Sequence, residues 1–562
     1  MTESADRPLP LRQNAHFAVI CTAVAIFILV MATFANQVAV ELGTLRAQAL
    51  QVDETYFASC AARGTAAREF LPAGCHDNKA PLIFLAHQAV QAITGPYDIA
   101  GIKRAAFGLT IAVAALAGWL ASRLAPPQSA PIAALLTAAL IVQALLVDVG
   151  LMALKTEMLG IAFVLMSLLA CLPRRGPVTS AQWMLAGFFC GLAIMSKQTF
   201  ALAAFVLFAW CAVSVWHAPG RARPAALAVK LGCLVAGILL PLLLLLSWFH
   251  VDGRSNEFLA STFLYPSVYG GPSSAEPAVK AAVWRLAHIF HTLSRAPILL
   301  AFFCFAVIAC AARLGQGARE TAGFRSTPGF LGLVVPTTLA LFSVTLIAPI
   351  FFDFHLVPTF VLMAVVGGVG LSQIASSLTK ASSLRKTAAI CVGVLAVTVV
   401  AAASTFYTNA GRGRSFPPIS DAAFLPGYRG SFAYILGMWP DVYAYNGLIP
   451  ASNVQFLWAL PGTPANGLYQ PPAETTDRGR WMASQHRQNL VRIYDDFKRT
   501  PPEFIVVSEH LARSRTSTRI SDVPGFDEYL AKHCTFLRQL PVHIGSPQAL
   551  YGCGELSKQK EP

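Results

Sequence analysis

Long stretches without charged residues dominate the hydrophobic pattern of this chain. Runs such as 17–35, 231–249 and 388–404 are each close to the ~20 residues that a helix needs to cross ~30 Å of hydrocarbon. Taken together, such runs predict eleven spans, at 17–36, 104–122, 131–147, 156–172, 183–196, 199–216, 230–249, 297–313, 329–349, 356–376 and 388–404. The pattern therefore predicts a polytopic α-helical membrane protein of about eleven transmembrane helices.

The segments between the spans divide the rest of the chain. Residues 1–16 precede the first span, residues 37–103 and 250–296 form two large loops on the outer side, and residues 405–562 follow the last span. Apolar residues recur at helical spacing in 38–50 and 82–93, which predicts two helices lying along the membrane surface in the first loop.

The C-terminal segment has a different character from the spans before it. Its charge density rises after residue 405, and the strand-like run 504–508 follows the helical run 489–498. Alternation of these two patterns predicts a small soluble α/β domain on the outer side of the membrane.

Composition and charge agree with this topology. Hydrophobic residues make up 55% of the chain and charged residues 12%, whereas soluble domains carry about 25% charged residues. The net charge of +14 does not call for a nucleic acid partner, because it follows the positive-inside bias of membrane proteins. The short outer connections receive only Lys155 and Lys197, and the inner side receives Arg7, Arg12, Arg123, Arg174, Arg175, Arg221, Arg223, Lys230, Arg313, Arg319, Arg325, Lys380, Arg385 and Lys386.

The first span and the cysteines indicate the compartment. Small residues at 32–35 would suit a signal peptide, but the first run is longer than the 7–15 residues of such a region, so we expect it to be retained. Two local cysteine pairs in outer segments, Cys60 with Cys75 and Cys534 with Cys553, are candidate disulfides of an oxidising compartment. The chain has no N-x-[ST] sequon, which favours a bacterial periplasm over an ER lumen.

Ionisable residues near a membrane are functional candidates because they are costly to hold there. In the first outer loop, Asp53 and Glu54 follow the first span; alternatively, Asp53 only caps a helix at 54–63. Lys79 precedes the second surface helix and Arg104 opens the second span, although Lys79 alone could be a solvated loop residue. Outer cations that break the positive-inside trend call for an anion, and a lipid-linked phosphate is the natural one.

Three more candidates lie at span ends. Glu157 starts the fourth span, where it could also simply stabilise a helix N-terminus. Lys197 lies between two short spans, so it must be near the outer end of the bundle, where snorkelling is the alternative. His355 lies in a tight turn before the tenth span, where a lone histidine is more often structural.

The order and side of these motifs resemble the GT-C superfamily of glycosyltransferases, in particular the bacterial branch of lipid A aminoarabinose transferases and protein O-mannosyltransferases. Residues 53–58 are similar to the family's Asp-Glu-x-x-Tyr motif, with Tyr56 one position early. Residues 78–82 are similar to its Lys-Pro-Pro-Leu motif, with Ala80 in place of the first proline. Further similarities lie at Arg104, Glu157, the 187–197 segment that ends in Lys197, the 354–358 segment with His355, and 439–443.

The resemblance implies an integral-membrane enzyme of the bacterial inner membrane that takes a sugar from a polyprenyl-phosphate carrier. Its active site would face the periplasm, and its acceptor would be an envelope glycolipid, glycan or protein. Asp53 would be the catalytic base, with Glu54 and Glu157 as further catalytic carboxylates. Lys79, Arg104, Lys197, Tyr56 and His355 would bind the carrier and its phosphate, which leaves without a general acid. A single base and in-line displacement would invert the anomeric carbon.

Several alternatives stay open on the sequence alone. Asp53, Glu54, Asp77 and His76 could hold a divalent cation, but their spacing identifies no metal site. A flippase or transporter of lipid-linked sugars would bind the same carrier without chemistry, and a scaffold would leave the cluster of charges unexplained. The sugar and the acceptor, including transfer of a whole oligosaccharide, are not specified.

Overall fold

A computed structural model gives the fold of the chain. The structure describes residues 52–67, 79–127, 129–142, 144–145, 153–173, 177–216, 223–264, 278–294, 296, 299–300, 303–304, 330–347, 353–380, 428–436, 441–452, 454, 477–508, 525–543 and 546–554.

Helices account for the first two thirds of the described chain. Four are long and apolar enough to cross a membrane, at Ile99–Leu124, Gln198–Trp216, Pro224–Val251 and Phe354–Ser372. The helices are α1 (Val52–Ala67), α2 (Leu82–Thr94), α3 (Ile99–Leu124), α4 (Ala130–Val142), α5 (Thr156–Ala170), α6 (Ser180–Ser196), α7 (Ala201–Trp216), α8 (Arg223–Val251), α9 (Ser255–Leu259), α10 (Ala278–Ser294), α11 (Val335–Ile347) and α12 (Val357–Lys380).

Most of the predicted spans coincide with these helices. The second to seventh spans correspond to α3 to α8, and the ninth and tenth to α11 and α12. The first and last spans, at 17–36 and 388–404, lie outside the described residues, as does most of 297–313. In the first loop, α2 covers the predicted surface helix at 82–93, and the one predicted at 38–50 lies outside the described residues.

Glycines allow α6 and α8 to pack closely. A Cβ atom at Gly187 would collide with the carbonyl oxygen of Leu234, and one at Gly191 with that of Ile238. Two small residues four positions apart lie on one helix face, and in membranes this spacing lets two backbones approach. The 187–191 segment therefore fixes the position of α6, whose C-terminal end leads into Lys197.

Charged residues separate to the two ends of the bundle. Near the start of α3, the Lys103 ammonium lies 2.8 Å from Glu54 on α1, and in the last turn of α3 Arg123 donates to the carbonyl of Pro173 after α5 (3.1 Å). At 1.5 Å per residue, Lys103 and Arg123 are about 30 Å apart along α3, which matches the hydrocarbon thickness. The end that carries Lys103 is called the site end below.

A five-stranded mixed sheet occupies the C-terminal part. Its strands are β1 (Phe432–Leu436), β2 (Ile449–Pro450), β3 (Phe504–Ser508), β4 (Cys534–His543) and β5 (Ser546–Cys553), in the order β2-β1-β3-β5-β4. β1 pairs in parallel with β2 and β3, and β5 pairs antiparallel with β3 and β4. Three helices accompany the sheet, α13 (Asp441–Asn446), α14 (Asp477–Arg499) and α15 (Phe526–His533).

The two faces of this sheet have different partners. Tyr434, Ile505 and Val507 pack with residues of α14 and α15. The alternate residues of the same strands, Ala433 and Val506, instead join the apolar core that continues into the helical bundle. Since successive strand residues point to opposite faces, the sheet is covered by its own helices on one side and by the bundle on the other.

Helix α1 makes the contact between sheet and bundle. It packs on α13 and β2, and the Arg63 guanidinium of α1 donates to the carbonyl oxygen of Pro450. A second link joins Arg492 of α14 to Glu257 of α9, with 3.2 Å between Nη2 and Oε2. The helix that carries Asp53 and Glu54 is thus packed on both parts of the molecule.

Candidate active site

Asp53 and Glu54 lie in the first turn of α1 but have different surroundings. The helix begins at Val52, so Asp53 is inside the helix rather than at its N-cap. The Asp53 side chain is 35% exposed, whereas that of Glu54 is fully buried. Of the two carboxylates, Asp53 is the one that a substrate can reach.

The buried Glu54 carboxylate joins three segments. One oxygen lies 2.8 Å from the Lys103 ammonium, and the other accepts a hydrogen bond from the backbone N–H of Leu154 (2.8 Å). On the other side of the same peptide segment, His87 Nε2 lies 3.0 Å from the carbonyl oxygen of Leu154. Leu154 is therefore held at both its N–H and its carbonyl.

Lys155, directly after this residue, carries a buried ammonium in the site. Its Nζ lies 3.7 Å from Asp53 Oδ2 and 3.8 Å from the centroid of the Phe354 ring. The cation over the ring face is stabilised by the ring's negative quadrupole. Lys155 thus lies between a carboxylate and an aromatic face at the start of α5.

Lys197 and Glu157 form a second ion pair in the same place. The Lys197 ammonium donates to the Glu157 carboxylate, and the Thr156 hydroxyl donates to Glu157 as well (2.9 Å). The Lys197 ammonium is 5.7 Å from the centroid of the Phe354 ring, so both lysines border the same aromatic side chain.

Phe354 and His355 lie in a short 3₁₀ turn before α12, and they complete the cluster. His355 is within electrostatic range of Lys197, Glu157, Lys79 and Lys155. Lys79, half-buried before α2, is also within range of Lys197. Among the described residues, Lys79 has no ion-pair partner.

Among its described residues, the cluster carries a surplus of positive charge. Three lysines, Lys79, Lys155 and Lys197, face two carboxylates, Asp53 and Glu157, while Lys103 and Glu54 balance each other. Buried charges need a counter-charge, and within the described part of the chain the half-buried Lys79 has no carboxylate partner, which leaves one cation for an anion supplied from outside. The arrangement suits a phosphate beside a partly exposed carboxylate.

Two residues that the sequence placed in the site lie elsewhere. The Arg104 side chain is 66% exposed and pairs with Asp98 at 3.3 Å, while its neighbour Lys103 points inward. Tyr56 is buried in the apolar core, where its ring meets that of Phe84 edge-on at 5.8 Å between centroids.

Sequence reasoning gave Lys155 and Lys103 no specific role, although both are outer cations among the candidates for the site, and it did not single out His87. The signal for Lys155 was its location in a short outer connection, against the positive-inside trend. His87 had only the signal of a lone histidine in an apolar helix. No group of three metal-ligating side chains occurs within the described residues, and His76 and Asp77 lie outside them.

The two cysteine pairs are in different situations. Cys534 and Cys553 form a disulfide that joins the first residue of β4 to the last residue of β5. Cys60 is buried in α1, and Cys75 lies outside the described residues, so that pairing stays a prediction.

No protein-family model matches this chain, and no curated protein matches it. Solved structures do. The ArnT structure from Cupriavidus metallidurans in the apo state is similar at 13% identity and a TM-score of 0.50, over 93% of this chain and 97% of that one. The structure of the same protein bound to undecaprenyl phosphate is similar at 13% identity and a TM-score of 0.48, over 96% and 98%.

A more distant similarity is to an oligosaccharyltransferase of Archaeoglobus fulgidus with a tethered acceptor peptide. It has 14% identity and a TM-score of 0.43, over 86% of this chain and 69% of that chain. The match to apo ArnT shows that this chain shares the fold of that structure.

Proposed function

We propose that this chain transfers a sugar from a polyprenyl-phosphate carrier of the undecaprenyl-phosphate type to an envelope acceptor. The transfer would take place at the periplasmic face of a bacterial inner membrane, with inversion at the anomeric carbon. The observation that carries this proposal is the charge of the cluster, in which three lysines face two carboxylates at one end of an apolar bundle.

The lysines suit the leaving group of such a reaction. When the bond between the anomeric carbon and the phosphate oxygen breaks, negative charge accumulates on the carrier phosphate. Ammonium groups already in place stabilise that charge without reorganisation, which is often the largest contribution to catalysis. Lys79, which has no ion-pair partner among the described residues, can give its whole charge to the phosphate, whereas Lys155 and Lys197 would each share theirs between the phosphate and a carboxylate.

Asp53 suits the role of base. In the proposed step the acceptor oxygen bonds to the anomeric carbon, the bond to the phosphate oxygen breaks, and the acceptor proton passes to the Asp53 carboxylate. Glu54 is buried against Lys103 and Leu154, and Glu157 is buried against Lys197. These two carboxylates are therefore poorly placed to accept a proton from a substrate. Their role is to hold the lysines with which they pair.

The fold supports a membrane-embedded carrier of this kind. ArnT, whose apo structure has the shared fold, has also been solved with undecaprenyl phosphate. Here the cluster lies where the site end of the bundle meets α1 and α2, so a phosphate head could bind while its isoprenoid chain stays in the lipid.

Replacing the base tests the proposal in cells. A strain that lacks the gene is complemented with the wild-type protein, with Asp53→Asn or with the control Asp98→Asn, whose carboxylate pairs with Arg104 outside the cluster. We expect mass spectrometry of envelope glycolipids and glycoproteins to show a sugar that the wild type and Asp98→Asn restore. Asp53→Asn should form this product at least about 100-fold more slowly, the usual contribution of a general base.

Two outcomes would contradict the proposal. If Asp53→Asn restores the glycosylated product fully, Asp53 is not the catalytic base. A wild-type protein that changes only the side of the membrane on which a lipid-linked sugar resides would show a flippase instead.

A further inference from the structure

The backbone at Leu154 is held by side chains from other helices, not by regular secondary structure. Residues 153–155 form neither helix nor strand before α5, yet all three are buried. A buried peptide needs partners for its N–H and its carbonyl, and Glu54 and His87 supply them from α1 and α2. Two side chains of the first loop thus fix the backbone that leads into Lys155.

His87 is suited to a constant structural contact. Burial lowers the pKa of His87 to about 4, so the imidazole is neutral near pH 7. Because a carbonyl oxygen can only accept, Nε2 carries the proton and donates it to Leu154. The Phe57 ring lies 5.5 Å away between centroids and limits the orientation of the imidazole.

A fixed backbone at Leu154 helps to hold the side chain of the next residue, Lys155, in one position. Lysine has a long side chain that loses rotamer freedom when it is held in one place. The Lys155 ammonium nevertheless lies between Asp53 Oδ2 and the face of Phe354, at 3.7 Å and 3.8 Å. A fixed Cα limits the side-chain conformations from which the ammonium has to be selected, and so lowers this entropic cost.

We propose that Glu54 and His87 are positioning residues, which hold the Leu154 peptide and thereby place the Lys155 ammonium beside Asp53 at the carrier phosphate. This inference rests on the proposed function for the identity of the ligand. It assigns Lys155 to phosphate binding, and it gives Glu54 a positioning role where the sequence predicted a catalytic one.

A binding cycle with undecaprenyl phosphate tests the link between His87 and Lys155. The full-length protein in nanodiscs is titrated as wild type, Lys155→Met, His87→Leu and the double variant. We expect Lys155→Met to weaken binding about tenfold, as loss of a hydrogen bond to a charged group does. His87→Leu should weaken it several-fold, and the double variant should bind within about twofold of Lys155→Met.

A conservative variant separates positioning from general stability. The side-chain amide of His87→Gln can still donate to the Leu154 carbonyl, so this variant should restore near-wild-type affinity. If His87→Leu weakens binding by the same factor with and without Lys155, His87 does not act through Lys155 and the inference is overturned.

Hydrogen exchange at the Leu154 amide tests the positioning contact without any ligand. We expect faster exchange in His87→Leu than in the wild type, and unchanged exchange in Lys155→Met, because Lys155 lies downstream of the contact. Equal protection in wild type and His87→Leu would refute the positioning role. Failure of the wild type to bind undecaprenyl phosphate, with these exchange rates as expected, would refute the proposed carrier while the positioning contact stands.

Discussion

The Lys103 ammonium lies 2.8 Å from the Glu54 carboxylate, and both side chains are almost completely buried. Removing one partner of such a pair leaves an uncompensated charge, which typically costs 3–5 kcal/mol. We therefore expect Lys103→Met to lower the thermal stability of the purified protein strongly. The double variant Glu54→Gln with Lys103→Met should recover most of the loss, because it removes both charges.

Lys498→Met is the matched control for that change. Lys498 pairs with Asp495 at 3.0 Å, but its side chain is 77% exposed, so the loss should stay below about 1 kcal/mol. Equal melting temperatures for Lys103→Met and Lys498→Met would show that the Glu54 pair does not stabilise the fold.

Lys79 and Arg104 were both predicted from the sequence to bind the carrier phosphate, and the affinity for the carrier tests which of them does. Lys79 is within electrostatic range of Lys197 and His355, whereas Arg104 pairs with Asp98 at the surface. We expect Lys79→Met to weaken the binding of undecaprenyl phosphate about tenfold, and Arg104→Met to change it less than about twofold. Titration of both variants in nanodiscs measures this, and the reverse order would place the phosphate outside the cluster.

Two glycines of α8 provide a paired test of helix packing. A Cβ atom at Gly237 would collide with the carbonyl oxygen of Met184 on α6, while one at Gly232 meets nothing within 4 Å. We expect Gly237→Ala to destabilise the protein by about 1–3 kcal/mol through overpacking. Gly232→Ala should stabilise it by about 0.5–1 kcal/mol, since alanine is the better helix former. Thermal unfolding of the two variants measures both effects. A Gly237→Ala variant as stable as the wild type would contradict this packing.

The disulfide of the C-terminal sheet should stabilise that part of the chain. It closes a loop with a sequence separation of 19 residues, for which chain entropy gives about 3 kcal/mol. Replacing Cys534 and Cys553 by alanine should therefore lower the unfolding temperature of the sheet. Cys304→Ala, at an exposed cysteine outside this sheet, is the control and should leave the temperature unchanged.

The sequence predicted the apolar helices better than it predicted the faces of those helices. Uncharged runs of sufficient length identify spans because hydrocarbon excludes charge, and α3 to α8 follow them. Which of two adjacent residues points inward depends on a rotation of about 100° per residue, which a motif alone does not fix. Lys103 therefore points into the protein, and Arg104, which the motif suggested, points outward.

The same limit applies to long-range contacts within the site. Asp53, Lys155 and Phe354 come from segments far apart in the chain, and only the packing of α1, α5 and α12 brings them together. His87 had no distinguishing pattern, because its partner is a backbone carbonyl rather than a side chain. The 489–498 helix and the 504–508 strand depend only on local pattern, and the structure has both.

Because α1 packs on both the bundle and the sheet, the two parts of the protein are difficult to express separately. The sheet face with Ala433 and Val506 is covered by the bundle, and Arg63 of α1 binds the Pro450 carbonyl. Expressed alone, the segment from residue 428 onward would present that apolar face to water and would tend to aggregate. A cut before β1 would in turn uncover the helix that carries Asp53, so each part covers apolar surface of the other.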